Sequence, residues 1–363
     1  MKVLFLANHV NFGGITAYML NLCRTLSGKD GFEYIVVSRG GELEKEFVAS
    51  GARHIRVPLT TKCEVSPKVF VSFLRLLPIV KAEGIDVFHA NTRVTQVLAS
   101  LLSLATKKPY VSTCHGYFRP RIARRLFPCW GRKVIAISDQ VQKHLIEDFG
   151  LDRSRVELIY NGIDPNKFHG HSVSEVREQK IKLRLDPDKK TIGHIGRLSS
   201  VKGQNVLVLA AERMMRVRQD IQFLIIGDGD EAADLKRLIR ERGLEQSVFM
   251  RPSMSDTSLA LSLMDVFCMP SLQEGLGLSI LEAQAQGVPV VASHVGGILS
   301  VIQDNETGLL CPVGDAGSFS QAMLKALDDA VLAQRLVEKA KQSVRERFTL
   351  DTMAQKTRRI YVS

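Results

Sequence analysis

The chain has 363 residues, 45% of them apolar and 24% charged, with 49 Lys and Arg against 38 Asp and Glu for a net charge of +11. That length suits two domains of roughly 150–200 residues, and the apolar fraction can fill two cores. The cysteines Cys23, Cys63, Cys114, Cys129, Cys268 and Cys311 are scattered, with no C-x-x-C and no His–Cys metal spacing, so a zinc ribbon or disulfide scaffold is excluded and reduced thiols in a cytosolic protein are expected. The positive balance points to an anionic partner.

From the N-terminus, Val3 to Ala7 reads as a strand of the buried, parallel kind. Its apolar run is too short for a signal-peptide core, and no stretch reaches the length of a membrane span. The loop from Asn8 ends in Gly13-Gly14 before a helix to about Leu26, and the glycine pair lets backbone approach a ligand there. The dinucleotide fingerprint G-x-G-x-x-G is absent, which disfavours a nicotinamide or flavin enzyme. Strands and helices then alternate: strand 34–38, helix 43–50, strand 54–57, helix 68–83, strand 87–90, helix 93–105 and strand 110–113. A strand at 134–137 leads through Ser138 into a helix, and strand 156–160 ends at the turn Asn161-Gly162-Ile163-Asp164. Such alternation predicts a doubly wound α/β domain that binds ligands beyond its strand C-termini. His115 stands at such an end; a lone histidine there is either a structural group or a ligand-facing one.

Between Lys107 and Lys133 the chain carries Arg119, Arg121, Arg124 and Arg125 and no acidic residue, with Ile122, Leu126 and Trp130 at helical spacing. This basic amphipathic stretch is expected to meet a membrane surface or an anionic acceptor; the plain alternative is a solvated basic helix. Residues 166–190 turn polar and read as an interdomain connection. A second strand–helix series starts at Thr191, and its first loop, Gly196-Arg197 to Lys202-Gly203, supplies two cations beside a glycine-opened helix start. Gly227-Asp228-Gly229 closes the next strand.

The stretch from Met269 to Ala292 is the most informative. A strand ends at Pro270, a turn-rich loop runs to Gly277, and a helix from Leu278 to Gln286 is stopped by Gly287 and Pro289. Glu274 precedes the helix and Glu282 lies inside it, while Gly275 and Gly277 leave backbone N–H groups bare at the positive end of the helix dipole. A phosphate flanked by carboxylates needs those acids to hold hydroxyls, so a nucleotide-sugar fits; a capped surface helix with solvated acids is the plain alternative. Closing helices are expected at about 316–348, broken near Asp329, and 349–361. No metal cluster, P-loop, Gly-x-Ser-x-Gly or Cys–His pairing occurs.

Taken in order and spacing, Gly13-Gly14, His115-Gly116, Asn161-Gly162-Ile163-Asp164, Gly196-Arg197, Lys202-Gly203, Gly227-Asp228-Gly229 and the two glutamates resemble the retaining GT-B glycosyltransferases of family 4, over nearly the whole chain. The resemblance implies two Rossmann-like domains facing across a cleft: residues 1–168, with a last helix at about 349–363 packed back on them, for the acceptor, and 169–348 for the donor. It implies that Arg197 and Lys202 bind the donor diphosphate, Glu274 the sugar hydroxyls and Glu282 the ribose. Gly13, Gly14, Asn161, Gly196 and the segment Gly275, Leu276, Gly277, Leu278 would line the donor, and His115 would face the sugar near the reacting carbon. His115, Arg197, Lys202 and Glu274 are thus the expected catalytic group, with no metal and no cofactor. UDP is the commoner donor nucleotide in this family and GDP the alternative. A lipid-linked or lipopolysaccharide-type acceptor at the cytoplasmic face of the inner membrane follows from the basic stretch, with Arg119, Arg121, Arg124, Arg125 and Trp130 as contacts. Two rivals stand beside this reading: a nucleotide-sugar epimerase of the same architecture, and a nucleic-acid-binding protein, for which no motif appears.

Overall fold

A computed structural model of the chain describes every residue except 30, 62, 119–123, 125, 126 and 363. By internal contacts it divides into two units, Met1–Gly162 with Leu350–Ser363, and Ile163–Thr349. The first division falls six residues before the one read from the sequence, because Ile163 forms a bridge with Thr349 and the turn Pro165–Lys167 packs within the second unit.

In the first unit the strands are β1 (Lys2–Leu6), β2 (Glu33–Ser38), β3 (Arg53–Arg56), β4 (Val87–Ala90), β5 (Tyr110–Cys114), β6 (Lys133–Ala136) and β7 (Val156–Leu158). They form one parallel sheet in the order β3-β2-β1-β4-β5-β6-β7. The helices are α1 (Gly14–Leu26), α2 (Glu44–Ala49), α3 (Pro67–Glu83), α4 (Arg93–Thr106) and α5 (Asp139–Glu147). Alternation along β1 explains the two cores: Val3 and Phe5 enter one, Leu4 and Leu6 the other. The chain's last helix belongs to this unit and buries Met353, Ala354, Ile360 and Tyr361 in the Val3–Phe5 core.

The second unit opens with α6 (Val173–Lys182), inside the stretch read as a connection. Its polar sequence hid a capping box: Ser172 accepts from Glu175 N–H, and the Glu175 side chain accepts from Ser172 N–H. Then follow β8 (Lys190–Ile195), α7 (Gln204–Met215), β9 (Ile221–Ile226), α8 (Ala232–Glu241), β10 (Val248–Arg251), α9 (Thr257–Ser262) and β11 (Val266–Met269). The unit closes with α10 (Leu278–Gln286), β12 (Val290–Ser293), α11 (Ile298–Val301), β13 (Leu309–Cys311), α12 (Ala316–Asp328) and α13 (Ala330–Arg347), after which α14 (Leu350–Val362) returns to the first unit. Its parallel sheet has the order β10-β9-β8-β11-β12-β13. In each sheet the strand order reverses beside the first strand, between β1 and β4 and between β8 and β11, and ligands of doubly wound sheets bind at that reversal.

Candidate active site

At the reversal of the second sheet, the loops after β8 and β11 meet. The β8 loop carries Gly196, Arg197 and Lys202, and it ends at Gly203 with φ of 65°. A Cβ at Gly203 would stand 2.1 Å from the Pro270 carbonyl oxygen, so the left-handed turn and the contact with the β11 loop both require glycine. This contact brings Lys202 Nζ to 2.5 Å from Glu274 Oε2. The Glu274 carboxylate also accepts from Gly275 N–H at 3.1 Å, and its backbone carbonyl accepts from Gly297 N–H at 2.9 Å. Gly297 permits that approach, since a Cβ there would fall 1.8 Å from the Gly275 carbonyl.

Beyond Glu274, Leu276 is buried and Gly277 starts α10 in the left-handed region without a capping side chain. The first amides of α10 therefore keep their hydrogen-bonding capacity at the positive helix end. Arg197 is exposed, and no side-chain partner for it occurs among the described residues. Glu282 sits one turn into α10, partly buried, and loss of solvent pushes its pKa up to about 7. A desolvated carboxylate with no cation beside it among the described residues suits a partner that brings hydroxyl donors.

Two supporting residues had no signal in the sequence. His194, buried within the apolar run of β8, donates from Nδ1 to the Cys268 carbonyl at 2.9 Å. Its Nε2 accepts from the Gln204 amide at 3.1 Å, and Gln204 also donates to the Arg197 carbonyl at 2.9 Å. These bonds fix the imidazole tautomer and pin the cation-bearing loop to both β8 and α7. Burial lowers the His194 pKa to about 4, so the ring stays neutral.

The first unit repeats the arrangement at its own reversal. The β1 loop ends at Gly13, which starts α1 with no side-chain cap and with open space where a Cβ would stand. Thr92, at the start of α4, donates to Asn8 Oδ1 at 2.5 Å and closes the loop against β4. His115 follows β5. Asn91 turns its amide nitrogen to the Leu6 and His89 carbonyls, so its Oδ1 accepts the His115 Nε2 proton at 3.1 Å and leaves Nδ1 bare. The Tyr18 ring packs edge-on against the imidazole at 5.0 Å, and burial lowers the His115 pKa to about 3. Asn161 is buried, and its Oδ1 has no partner among the described residues.

Two family models match the chain: Glycosyltransferase Family 4 over residues 12–167 and Glycosyl transferases group 1 over residues 175–343. The chain belongs to the family 4 glycosyltransferases. It is 27% identical to the phosphatidyl-myo-inositol mannosyltransferase of Mycobacterium leprae, over 96% of this chain and 92% of that protein. It is 26% identical to the UDP-Gal:alpha-D-GlcNAc-diphosphoundecaprenol alpha-1,3-galactosyltransferase of Escherichia coli, over 79% of this chain and 78% of that one. The solved structure of Anabaena HepE with UDP and glucose matches with a TM-score of 0.88 at 22% identity, covering 99% of both chains. That likeness shows the fold: two Rossmann-like domains of the GT-B type.

The basic stretch of this glycosyltransferase departs from expectation. Arg119, Arg121 and Arg125 lie outside the described residues, but Arg124 and Trp130 are buried, 6% and 3% exposed, and cannot be surface contacts. The Arg124 guanidinium lies 3.8 Å from the Phe118 ring centre and 4.7 Å from that of Trp130, and donates to Gln96 Oε1 at 3.1 Å. A weakly hydrated planar cation stacked on aromatics is stable inside a domain, which is the physical reason for the miss. Among the described residues no group of His, Cys, Asp or Glu is placed to hold a metal ion, and no helix is long and apolar enough to cross a membrane.

Proposed function

We propose that the enzyme is a retaining transferase that works without a metal, moving a sugar from a nucleotide-sugar, UDP- rather than GDP-linked, to a glycan or lipid-linked acceptor. Cell-surface polysaccharide or lipopolysaccharide synthesis at the cytoplasmic face of the inner membrane is the setting that fits. The Lys202–Glu274 pair at the sheet reversal, beside the uncapped start of α10, carries this reading. An anionic diphosphate takes Lys202, Arg197 and the α10 amides, and sugar hydroxyls take Glu274. Glu282 accepts from the ribose.

As the bond from the anomeric carbon to the β-phosphate oxygen breaks, its electron pair becomes charge on that phosphate. Fixed cations and helix amides aimed there lower the barrier without rearranging. The acceptor oxygen bonds to the same face of the anomeric carbon as its proton passes to the leaving phosphate, which retains configuration. His115, neutral and with Nδ1 bare, offers an uncharged acceptor to a sugar hydroxyl.

The test pairs a thermal-shift screen of nucleotide-sugars with transfer assays of Lys202→Met and Glu274→Ala. A saturating donor at 100 times its Kd stabilises by about 2.7 kcal/mol. Each variant is expected to lose at least about a hundredfold in turnover, and full activity in either one sinks the assignment. Free epimer formed without any acceptor supports the epimerase instead; both matched family models describe transferases.

A further inference from the structure

The helix α3 packs Val69, Ser72, Leu76 and Val80 into the first unit, as an amphipathic helix should. Its opposite side is not polar. Phe70, Val71 and Leu74 are 56%, 40% and 53% exposed, and at 100° per residue they occupy the middle of the outward arc. Lys68 and Arg75 border that arc on one flank, and Lys81 lies on the same arc about two turns beyond Leu74, all three exposed. The helix has one acid, Glu83 at its end, and Arg53 holds it at 2.8 Å on the strand side. Apolar exposure continues past the helix start. Val65 is 84% exposed, and Arg93 binds both the neighbouring Glu64 and the carbonyls of Phe127 and Pro128, which fixes the exposed Phe127 beside it.

Among the described residues, Val201 and Leu272 form a second, smaller exposed apolar pair. A helix apolar on both sides with basic borders has the pattern of one lying in the plane of a lipid interface. We propose that the outer face of α3, with Val65 and Phe127, docks this protein on the surface of an anionic bilayer. Charge complementarity decides the occupant. Two copies meeting through this face would oppose Lys68, Arg75 and Lys81 with the same cations, whereas acidic headgroups neutralise them while Phe70, Val71 and Leu74 enter the acyl boundary. The surface gives the proposed lipid-linked acceptor its location, in place of the buried Arg124 and Trp130.

Sedimentation of the full-length protein with equimolar phosphatidylcholine–phosphatidylglycerol vesicles tests it, with pure phosphatidylcholine as comparison. Wild type is expected to pellet with the anionic vesicles at low salt and to be released by added salt. Removing one basic residue lowers the partition roughly fivefold, so Lys68→Gln with Arg75→Gln loses about thirtyfold. Phe70→Ser with Leu74→Ser also loses binding, while UDP binding and melting stay unchanged because these side chains are exposed. Wild type that stays in solution with both vesicles overturns the proposal. So does vesicle binding that survives both double variants, or a concentration-dependent dimer that Phe70→Ser with Leu74→Ser abolishes. The vesicle assay needs no turnover: a protein that binds UDP-sugars but not vesicles refutes the surface and leaves the transferase reading standing, and the reverse result separates them equally.

Discussion

Replacing Glu282 with Gln should stabilise the protein and weaken its ligand. Burial raises the carboxyl pKa from 4.5 to about 7 in the folded chain. The acid form is therefore favoured on folding, so the group costs little below pH 4.5 and its cost reaches full size above pH 7. Linkage makes that cost about 3 kcal/mol at pH 8 and under about 1 kcal/mol at pH 5. Gln has the same shape and no charge to desolvate, so Glu282→Gln gains about 3 kcal/mol at pH 8, or about 6–12 °C in the melting of a unit this size. The gain shrinks as the pH falls towards 5. Binding moves the other way. A hydrogen bond to a charged acceptor is worth roughly 1.5–3 kcal/mol, and Gln keeps one acceptor oxygen, so nucleoside diphosphate affinity falls about tenfold. Hydroxyl donors favour the carboxylate, so wild-type binding should tighten from pH 6 to pH 8 with proton release, and the variant should be flat. Calorimetric titration with UDP and thermal melts at the two pH values read all three effects. A Glu282→Gln protein no more stable than wild type at pH 8 refutes the desolvated carboxylate, and unchanged UDP affinity refutes its role at the ribose.

Gln204→Leu strips the partner from His194 Nε2 and from the Arg197 carbonyl, at about 1–3 kcal/mol for each buried group left unsatisfied. Thermal melts should fall accordingly, and UDP affinity with them because the Arg197 loop loosens; an unchanged melt shows that the bonds carry nothing. His115 is held neutral by a pKa near 3, so His115→Gln should lower turnover without moving any ionisation limb between pH 5 and pH 8. A limb that shifts with this substitution, in a pH profile of transfer, contradicts the buried neutral ring.

Much of the fold was legible because parallel strands buried on both faces read as short apolar runs, as 223–226 and 266–269 do, stopped by Gly227 and Pro270. Capping explains the main miss. The helix at 173–182 has almost no apolar stripe, and its one clear signal, Ser172 with Glu175, is a polar pattern lost in a polar stretch. The pairing of Lys202 with Glu274 joins residues 72 positions apart, and the order of glycine loops along the chain was enough to suggest that they share a site. Orientation was not legible. Ile122, Leu126 and Trp130 have the spacing of an amphipathic helix, with Arg124 read as part of its basic side, but periodicity shows only which residues share a face. Which face turns inward depends on Phe118 and Phe149, whose rings complete the stack. Likewise nothing in the run of β8 marks His194 as more than a polar residue in a strand, because its partners come from a carbonyl of β11 and the first residue of α7.

The short Lys202–Glu274 pair also limits what can bind beside it. Without ligand each group satisfies the other, so a newcomer must replace the interaction of both. An inorganic diphosphate can take Lys202, but it leaves Glu274 as an uncompensated carboxylate next to more negative charge. A free sugar can offer hydroxyls to Glu274 and leaves Lys202 without a counter-charge. Only a molecule that joins a diphosphate to a polyhydroxylated group at the right distance repays both, and removing one partner of such a pair costs more than the pair itself contributes. On this argument the double variant Lys202→Met with Glu274→Ala should bind UDP more tightly than Lys202→Met alone, because no stranded carboxylate repels the phosphates. Glu274→Ala alone should bind UDP more tightly than wild type while losing the UDP-sugar. If UDP affinity instead falls in Glu274→Ala, the carboxylate is holding Lys202 in position rather than competing for it.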